Sequence, residues 1–206
     1  MDIITLEGYY LEHKKTYKKL QKDMNEKLDG RLCDHKVYIV NLIQNFMAKC
    51  HTYLEIGSHN GLSMSYATYK TDLKKGIGID LFQKTHEDTL NIDTTINNVN
   101  KYNKKCVVNF IKGNSQHIET ISQVADNLGD EKVDLLLIDG SKYYDEVFND
   151  FDNYIQFVRR DGFIVVSNSE PRYPYLFKLF FSRKSPVKVD IIGVYKKNML
   201  IIKKVD

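Results

Sequence analysis

The sequence predicts an α/β fold: a seven-stranded, mostly parallel sheet with helices on both faces and an antiparallel hairpin at its C-terminal edge. Two observations predict it. Between residues 51 and 168, five short apolar runs alternate with helical stretches, and two further alternating apolar runs close the chain. A third sets the scale, since 206 residues suffice for one substantial core and are short for two. The chain therefore reads as one domain, 1–206, with residues 1–33 as a helical N-terminal extension packed on it.

Taken in order, residues 5–28 form a polar amphipathic helix closed by Asp29-Gly30. Asp34 caps a second helix, with Val37, Val40, Ile43 and Met47 at helical apolar spacing. "TYLEIG" is a strand and "LSMSYATYK" a helix; "KGIGIDLF" is a strand and "TLNIDTTINNVNKYN" a helix. "CVVNFIKG" and "SQHIETISQVADNLG" repeat the pattern, as do "VDLLLIDG" and the long helix "YYDEVFNDFDNYIQFVRR" before the strand "GFIVVSN". A short helix is expected around Tyr175–Phe181, after Pro171. Lastly, "VKVDIIGVY" and "NMLIIKKV", joined through Lys196-Lys197, are close enough to pair as an antiparallel hairpin.

Composition narrows the class. No apolar run reaches the roughly 18 residues of a membrane span, and the N-terminus carries early acids without a signal-peptide core. Cys33, Cys50 and Cys106 are odd in number and widely spaced, which points to a reducing compartment, hence the cytoplasm, and away from zinc. Net charge is only +3 but uneven. Lys14, Lys15, Lys18, Lys19 and Lys22 crowd the first helix, and Lys178, Arg183, Lys184, Lys188, Lys196, Lys197, Lys203 and Lys204 the C-terminal end. Such clusters attract phosphates or are simply solvated faces. No aromatic-glycine RNA-binding signature accompanies them, which argues against nucleic acid as partner.

Parallel sheets bind ligands at the carboxyl ends of their strands. The first strand ends in Glu55-Ile-Gly57-Ser58-His59-Asn60-Gly61. A dinucleotide fingerprint would need glycines at 57, 59 and 62, where this chain has Gly57, His59 and Leu62. What fits is E-x-G-x-x-x-G, with Glu55 facing a cationic amino group and Gly57 letting backbone approach the ligand. The second strand ends at Asp80, suited to both hydroxyls of a ribose. The third ends in "KGNSQ", where Asn114 and Ser115 either meet an adenine edge or cap the next helix.

These three strand ends resemble the class I S-adenosylmethionine-dependent methyltransferases, with the likeness covering residues 34–205 and including the terminal hairpin. The resemblance implies a Rossmann-like fold and a cofactor site at Glu55, Gly57, Ser58, Gly61, Asp80, Asn114, Ser115 and Asp139. At the fourth strand end the chain has Ile138-Asp139-Gly140-Ser141, without the proline of the N-P-P-Y-like turn common in enzymes that methylate base amino groups. It is similar instead to O-methyltransferases with I-D-G-x-[HK]-x-Y, catechol-type and sugar-modifying enzymes among them. That resemblance makes Asp139 a ligand for Mg²⁺ or another divalent cation and Lys142 the catalytic base, with Asp139 also catalytic. Asn168 matches a metal-side amide, but Ser167 stands where a carboxylate is expected, leaving a thin oxygen cage for Mg²⁺.

His59, Tyr143 and Asn168 are the candidate substrate contacts, and His86 is a further loop histidine facing the same cleft. The reading that follows is an O-methyltransferase acting on a hydroxyl of a small acceptor, a sugar or glycan ahead of a catechol. A lysine-, asparagine- and isoleucine-rich chain also suits an AT-rich viral genome, with the host cytoplasm as its compartment. Two alternatives stay open: an RNA methyltransferase, and a non-catalytic module that binds S-adenosylmethionine.

Overall fold

The computed structural model describes residues 3–28, 44, 47, 49–69, 71–83, 91–103, 105–167, 187–195 and 199–206. The expected helices at 34–48 and 175–181 therefore lie almost wholly outside the described residues, as do Cys33, His86, Asn168 and Glu170. The long first helix is α1 (Ile3–Lys27), followed by β1 (Thr52–Ile56) and α2 (Leu62–Thr68). Then come β2 (Lys75–Asp80), α3 (Ile92–Tyr102), β3 (Val107–Lys112), α4 (Ile118–Leu128) and β4 (Val133–Ile138). The chain closes with α5 (Tyr144–Tyr154), β5 (Val158–Val166), β6 (Val189–Tyr195) and β7 (Met199–Lys204).

The seven strands form one sheet in the order β3-β2-β1-β4-β5-β7-β6. β1 to β5 are parallel where they pair, and β7 runs antiparallel to both β5 and β6. The expected fold class is the one observed. β1 and β4 sit at the centre, and every side chain of both is buried. That burial on two faces explains why "TYLEI" and "VDLLLI" read as continuous apolar runs instead of alternating ones.

Alternation along the strands sorts the core into two layers. Tyr53, Leu135, Leu137, Phe163, Val165, Met199 and Ile201 pack with Tyr10 and Tyr17 of α1, Met64 and Ala67 of α2 and Val99 of α3. Leu54, Ile56, Leu136, Ile138, Ile164 and Val166 pack on the other face with Val124 and Leu128 of α4 and Val147, Phe151 and Tyr154 of α5. A smaller cluster of Met24, Leu28, Leu62 and Tyr66 ties the end of α1 to α2. α1 is further held by Tyr102 Oη donating to Asp23 at 2.9 Å and Lys101 Nζ to the Lys27 carbonyl at 2.9 Å.

One boundary departs from expectation. The helix predicted over 143–160 stops at Tyr154; Ile155–Phe157 is a single 3₁₀ turn, and "VRR" already belongs to β5. Val158 pairs with Val133 and Phe163 with Leu135, so three extra residues of β5 bulge out between the two pairs. Burial of Ile155 and Val158 and the ion pair of Arg159 with Asp134 decide for strand over helix. Asp161 takes the bulge with φ 61°, held by Lys203 at 2.5 Å.

Candidate functional site

The ligand turn follows β1. Gly57 has φ +89°, and a Cβ there would stand 2.5 Å from the Asp139 carbonyl oxygen and 2.7 Å from the Gly140 nitrogen. The turn is thus pressed against the end of β4, a contact that only glycine permits. Backbone bonds lock the ends together: the Gly57 and Ser58 N–H groups donate to the Ile79 carbonyl at 2.8 and 3.1 Å, and Asp139 N–H to the Ile56 carbonyl at 2.9 Å. Gly61, at φ +73°, faces α3: a Cβ would meet Thr95 Cγ2 at 2.9 Å and Val99 Cγ2 at 3.0 Å. Its absent side chain sets how closely α3 packs on the turn.

Glu55 lies inside the turn and is fully buried. Its Oε2 accepts from Tyr53 Oη at 2.8 Å and from Ser63 Oγ at 2.7 Å, while Oε1 is buried with no hydrogen-bond partner in the protein. Burial pushes this carboxyl up to about 7, against the Ser63, Tyr53 and Ser58 hydroxyls, which favour its charge; nearby Asp139 adds to the rise. Ser58 Oγ is also buried without a partner, in the space left by Gly78, whose Cβ would collide with it and with the Phe110 ring. An unsatisfied buried oxygen costs about 1–3 kcal/mol, so Glu55 and Ser58 fit a ligand that brings N–H or O–H groups.

At the end of β2, Asp80 Oδ2 accepts from the His59 N–H at 2.8 Å and Oδ1 from the Phe82 N–H at 2.9 Å. Both bonds hold the carboxylate rigid, and each oxygen keeps a lone pair for a hydroxyl. His59 itself is exposed, with φ 47°, and its carbonyl accepts from Thr95 Oγ1 at 2.8 Å. In the turn after β3, Asn114 Oδ1 accepts from Gln116 N–H at 2.9 Å, a local turn that leads into α4. Ser115 does not cap α4, whose N-cap is His117; its hydroxyl donates to Asp150 Oδ1 at 2.6 Å.

After β4, Asp139 is half-buried, on the same sheet face as Glu55 by the alternation of its strand. Ser141 Oγ accepts from the Tyr143 N–H at 3.0 Å and donates to Glu146, folding the turn into α5. Lys142 and Tyr143 are exposed on this turn, Tyr143 at 74%. At the end of β5, Ser167 donates its N–H to the Ile138 carbonyl at 2.9 Å, and its Oγ is buried with no partner. The turns thus gather Glu55, Gly57, Ser58, Asp80 and Asp139 at one end of the sheet. Ser115 reaches toward the α5 side, and Asn168 lies outside the described residues.

The methyltransferase-domain family matches residues 54–169, a span that encloses all of these strand ends. The chain belongs to that family and is an S-adenosylmethionine-dependent methyltransferase. Among its relatives, the uncharacterized protein R132 of Acanthamoeba polyphaga mimivirus is 32% identical over 189 residues, covering 86% of this chain and 83% of its own. A candidate caffeoyl-CoA O-methyltransferase of Staphylococcus aureus shares the fold with a TM-score of 0.65 at 16% identity, over 98% of this chain and 100% of its own. An O-methyltransferase of Bacillus cereus, solved with S-adenosylhomocysteine, superposes with a TM-score of 0.58 at 16% identity, over 92% and 90% of the two chains.

The residues present fit the cofactor. The unpartnered Glu55 Oε1 suits its ammonium, and the Gly57 turn admits its backbone-hugging tail. A divalent cation is served less well. Among the described residues no group of three His, Cys, Asp or Glu gathers, and Ser167 offers a neutral hydroxyl beside Asp139 where Mg²⁺ favours anionic oxygen. Asp150 is the residue that sequence reasoning missed. It is buried beneath the β3 and β4 turns, its carboxyl raised to about 6 by burial. An acid at an apolar position of the α5 pattern, three residues past Val147, was the available signal.

Proposed function

We propose that the chain methylates a hydroxyl of a small acceptor, a sugar or glycan, bound over the turn that follows β4. The observation that carries this is the pairing of a buried, unpartnered carboxylate oxygen at Glu55 with the Asp139–Tyr143 turn on the adjacent strand end, where Asp139 is half-buried and Lys142 and Tyr143 are exposed. The first suits the donor, and the second is open to an acceptor. S-adenosylmethionine supplies a methyl group on a sulfonium leaving group. The protein's part is to hold the attacking oxygen in line and to take its proton.

In this reading Asp139 accepts a hydrogen bond from the acceptor hydroxyl, and Lys142, exposed on the free chain, takes the proton once the acceptor covers it. The exposed Tyr143 ring offers a flat apolar face to a sugar ring. Just past β5, the buried and unpartnered Ser167 hydroxyl is a further polar group beside Asp139 that an acceptor reaching below the turn could engage. The viral relative supports a viral home and work in the host cytoplasm.

Among the described residues, the exposed lysines of α1 are what favours an RNA acceptor; Lys178, Arg183, Lys184, Lys196 and Lys197 lie outside them. At the other basic end, Lys203 is bound to Asp161, Lys204 Nζ donates to the Ile155 and Val158 carbonyls, and Lys188 pairs with Asp206. The test is methyl transfer across a panel of sugars, catechols and short RNA, with S-adenosylhomocysteine affinity measured alongside. Transfer to sugars is expected, slowed by about 10²-fold or more in Lys142→Met with donor affinity unchanged. Transfer to RNA alone, or an unaffected Lys142→Met rate, overturns the reading.

A further inference from the structure

The turn after β3 is tied to α5 by a set of bonds that the donor site does not otherwise require. Ser115 Oγ lies 2.6 Å from Asp150 Oδ1. The Ser115 carbonyl accepts from Tyr154 Oη at 2.8 Å, and Asn149 Nδ2 reaches Gln116 Oε1 at 3.3 Å. Asp150 is 1% exposed, and a Cβ at Gly140 would stand 3.8 Å from its Oδ2, so it lies under the β4 turn as well. A carboxylate here is an uncommon choice. It sits on the apolar face of α5 between Val147, Phe151 and Tyr154, where a hydrophobic side chain would pack without a desolvation cost.

The chemistry of the pair gives it a use. A serine hydroxyl has one proton and two acceptor lone pairs, and an ionised carboxylate can only accept. The proton between Ser115 and Asp150 therefore comes from the serine, which leaves Ser115 Oγ with lone pairs alone to offer a ligand. An oxygen fixed in that state accepts from an amino group and repels a carbonyl oxygen. A free serine would rotate its proton and take either.

We propose that Asp150 is a positioning residue that fixes the Ser115 hydroxyl as an obligate hydrogen-bond acceptor, so that the site selects a donor whose purine carries a 6-amino group over one carrying a 6-oxo group. This rests on the reading of Ser115 as an adenine contact. It extends that reading by assigning the selectivity to a buried acid that touches no ligand. Sites built around a committed hydrogen-bonding group reject the mismatched analogue strongly, because the mismatch leaves a buried polar group unpaired.

The experiment compares S-adenosylhomocysteine with its deaminated 6-oxo analogue, S-inosylhomocysteine, by calorimetric titration at pH 8. The wild-type chain should bind the amino form at least tenfold tighter. D150N places an amide that can donate to Ser115 Oγ, freeing the serine proton, so the ratio should fall below about threefold; S115A should lose it similarly. The ratio, unlike overall affinity, is not moved by a purely structural loosening of α5.

A second measurement needs no variant. At pH 5 Asp150 is protonated and can itself donate, so the wild-type ratio should narrow. The charged neighbour bearing on Asp150 is Glu146 of the same helix, while Ser115 and Gly140 meet it from the β3 and β4 turns. Titration of Glu55 affects both ligands alike and cancels in the ratio. A ratio that stays the same in S115A, or in D150N and across pH, overturns the proposal alone. A wild-type chain that binds neither ligand overturns the donor reading with it.

Discussion

Glu55 combines two opposed requirements in one side chain. Burial favours its neutral form, while a cationic ligand needs its charge. With the folded carboxyl raised to about 7, Glu55 binds more protons in the folded chain than in the unfolded one between the ordinary value of 4.5 and 7. Its stabilising share is therefore present below the unfolded value and lost as pH rises through about 7. Donor affinity runs the other way. S-adenosylhomocysteine should bind more tightly as pH climbs from 6 to 8, with proton release on binding near pH 6. Glu55→Gln should weaken binding about tenfold at pH 8 and flatten the pH dependence; calorimetry in buffers of different ionisation enthalpy reads both. At this scale the sequence was informative where chemistry is local. Glu55, Gly57 and Asp80 could be assigned to strand ends from the sequence because each lies in or directly after the last residues of a short apolar strand. Asp150 was not, because its partner Ser115 lies 35 residues away and only the folded chain brings the turn after β3 against α5.

Among the elements, the junction of α5 and β5 shows where pattern reading fails. "YIQFVRR" has Tyr154, Ile155 and Val158 at spacings that suit a helix as well as a strand, and short apolar runs do not separate the two. The choice is made by β4. Val158 takes its place beside Val133, and the surplus residues leave as a bulge before Phe163 pairs with Leu135. Gly162 closes that bulge. A Cβ there would stand 2.7 Å from Val158 Cγ1 and 2.9 Å from the Arg159 carbonyl oxygen. Gly162→Ala should therefore cost about 1–3 kcal/mol, read as a lower urea midpoint at unchanged slope. Because Ser167 follows directly on β5, displacement of the strand's pairing should also weaken acceptor binding before donor binding. The terminal hairpin, by contrast, was legible as an antiparallel pair, since period-two alternation on both sides of Lys196-Lys197 suits one, whereas the register shift between Ile191 and Gly193 and the place of β7 between β5 and β6 depend on the rest of the sheet.

For the molecule as a whole, the open question is what α1 does. Composition presented it as a polar, lysine-rich lead, and its exposed face is one: Lys14, Lys15, Lys18, Lys19 and Lys22 all point to solvent. The buried face could not be read from the helix alone, because its partners come from three other elements. Met24 is fully buried against Leu28, Leu62 and Tyr66, and Tyr10 and Tyr17 join the core layer built on Tyr53 and Leu137. Leu62 and Tyr66 belong to α2, the helix whose N-cap is Gly61 and which so carries the far end of the turn after β1. Stability of α1 and order of the turn should then be one property. Met24→Ala removes most of a fully buried side chain and should cost about 2–5 kcal/mol. If α1 is part of the same cooperative unit, urea unfolding should remain a single transition, with the far-ultraviolet signal and S-adenosylhomocysteine binding lost together at a lower midpoint. Were α1 a separable appendage, helical signal would fall first while donor binding persisted, and the midpoint for binding would match the wild type.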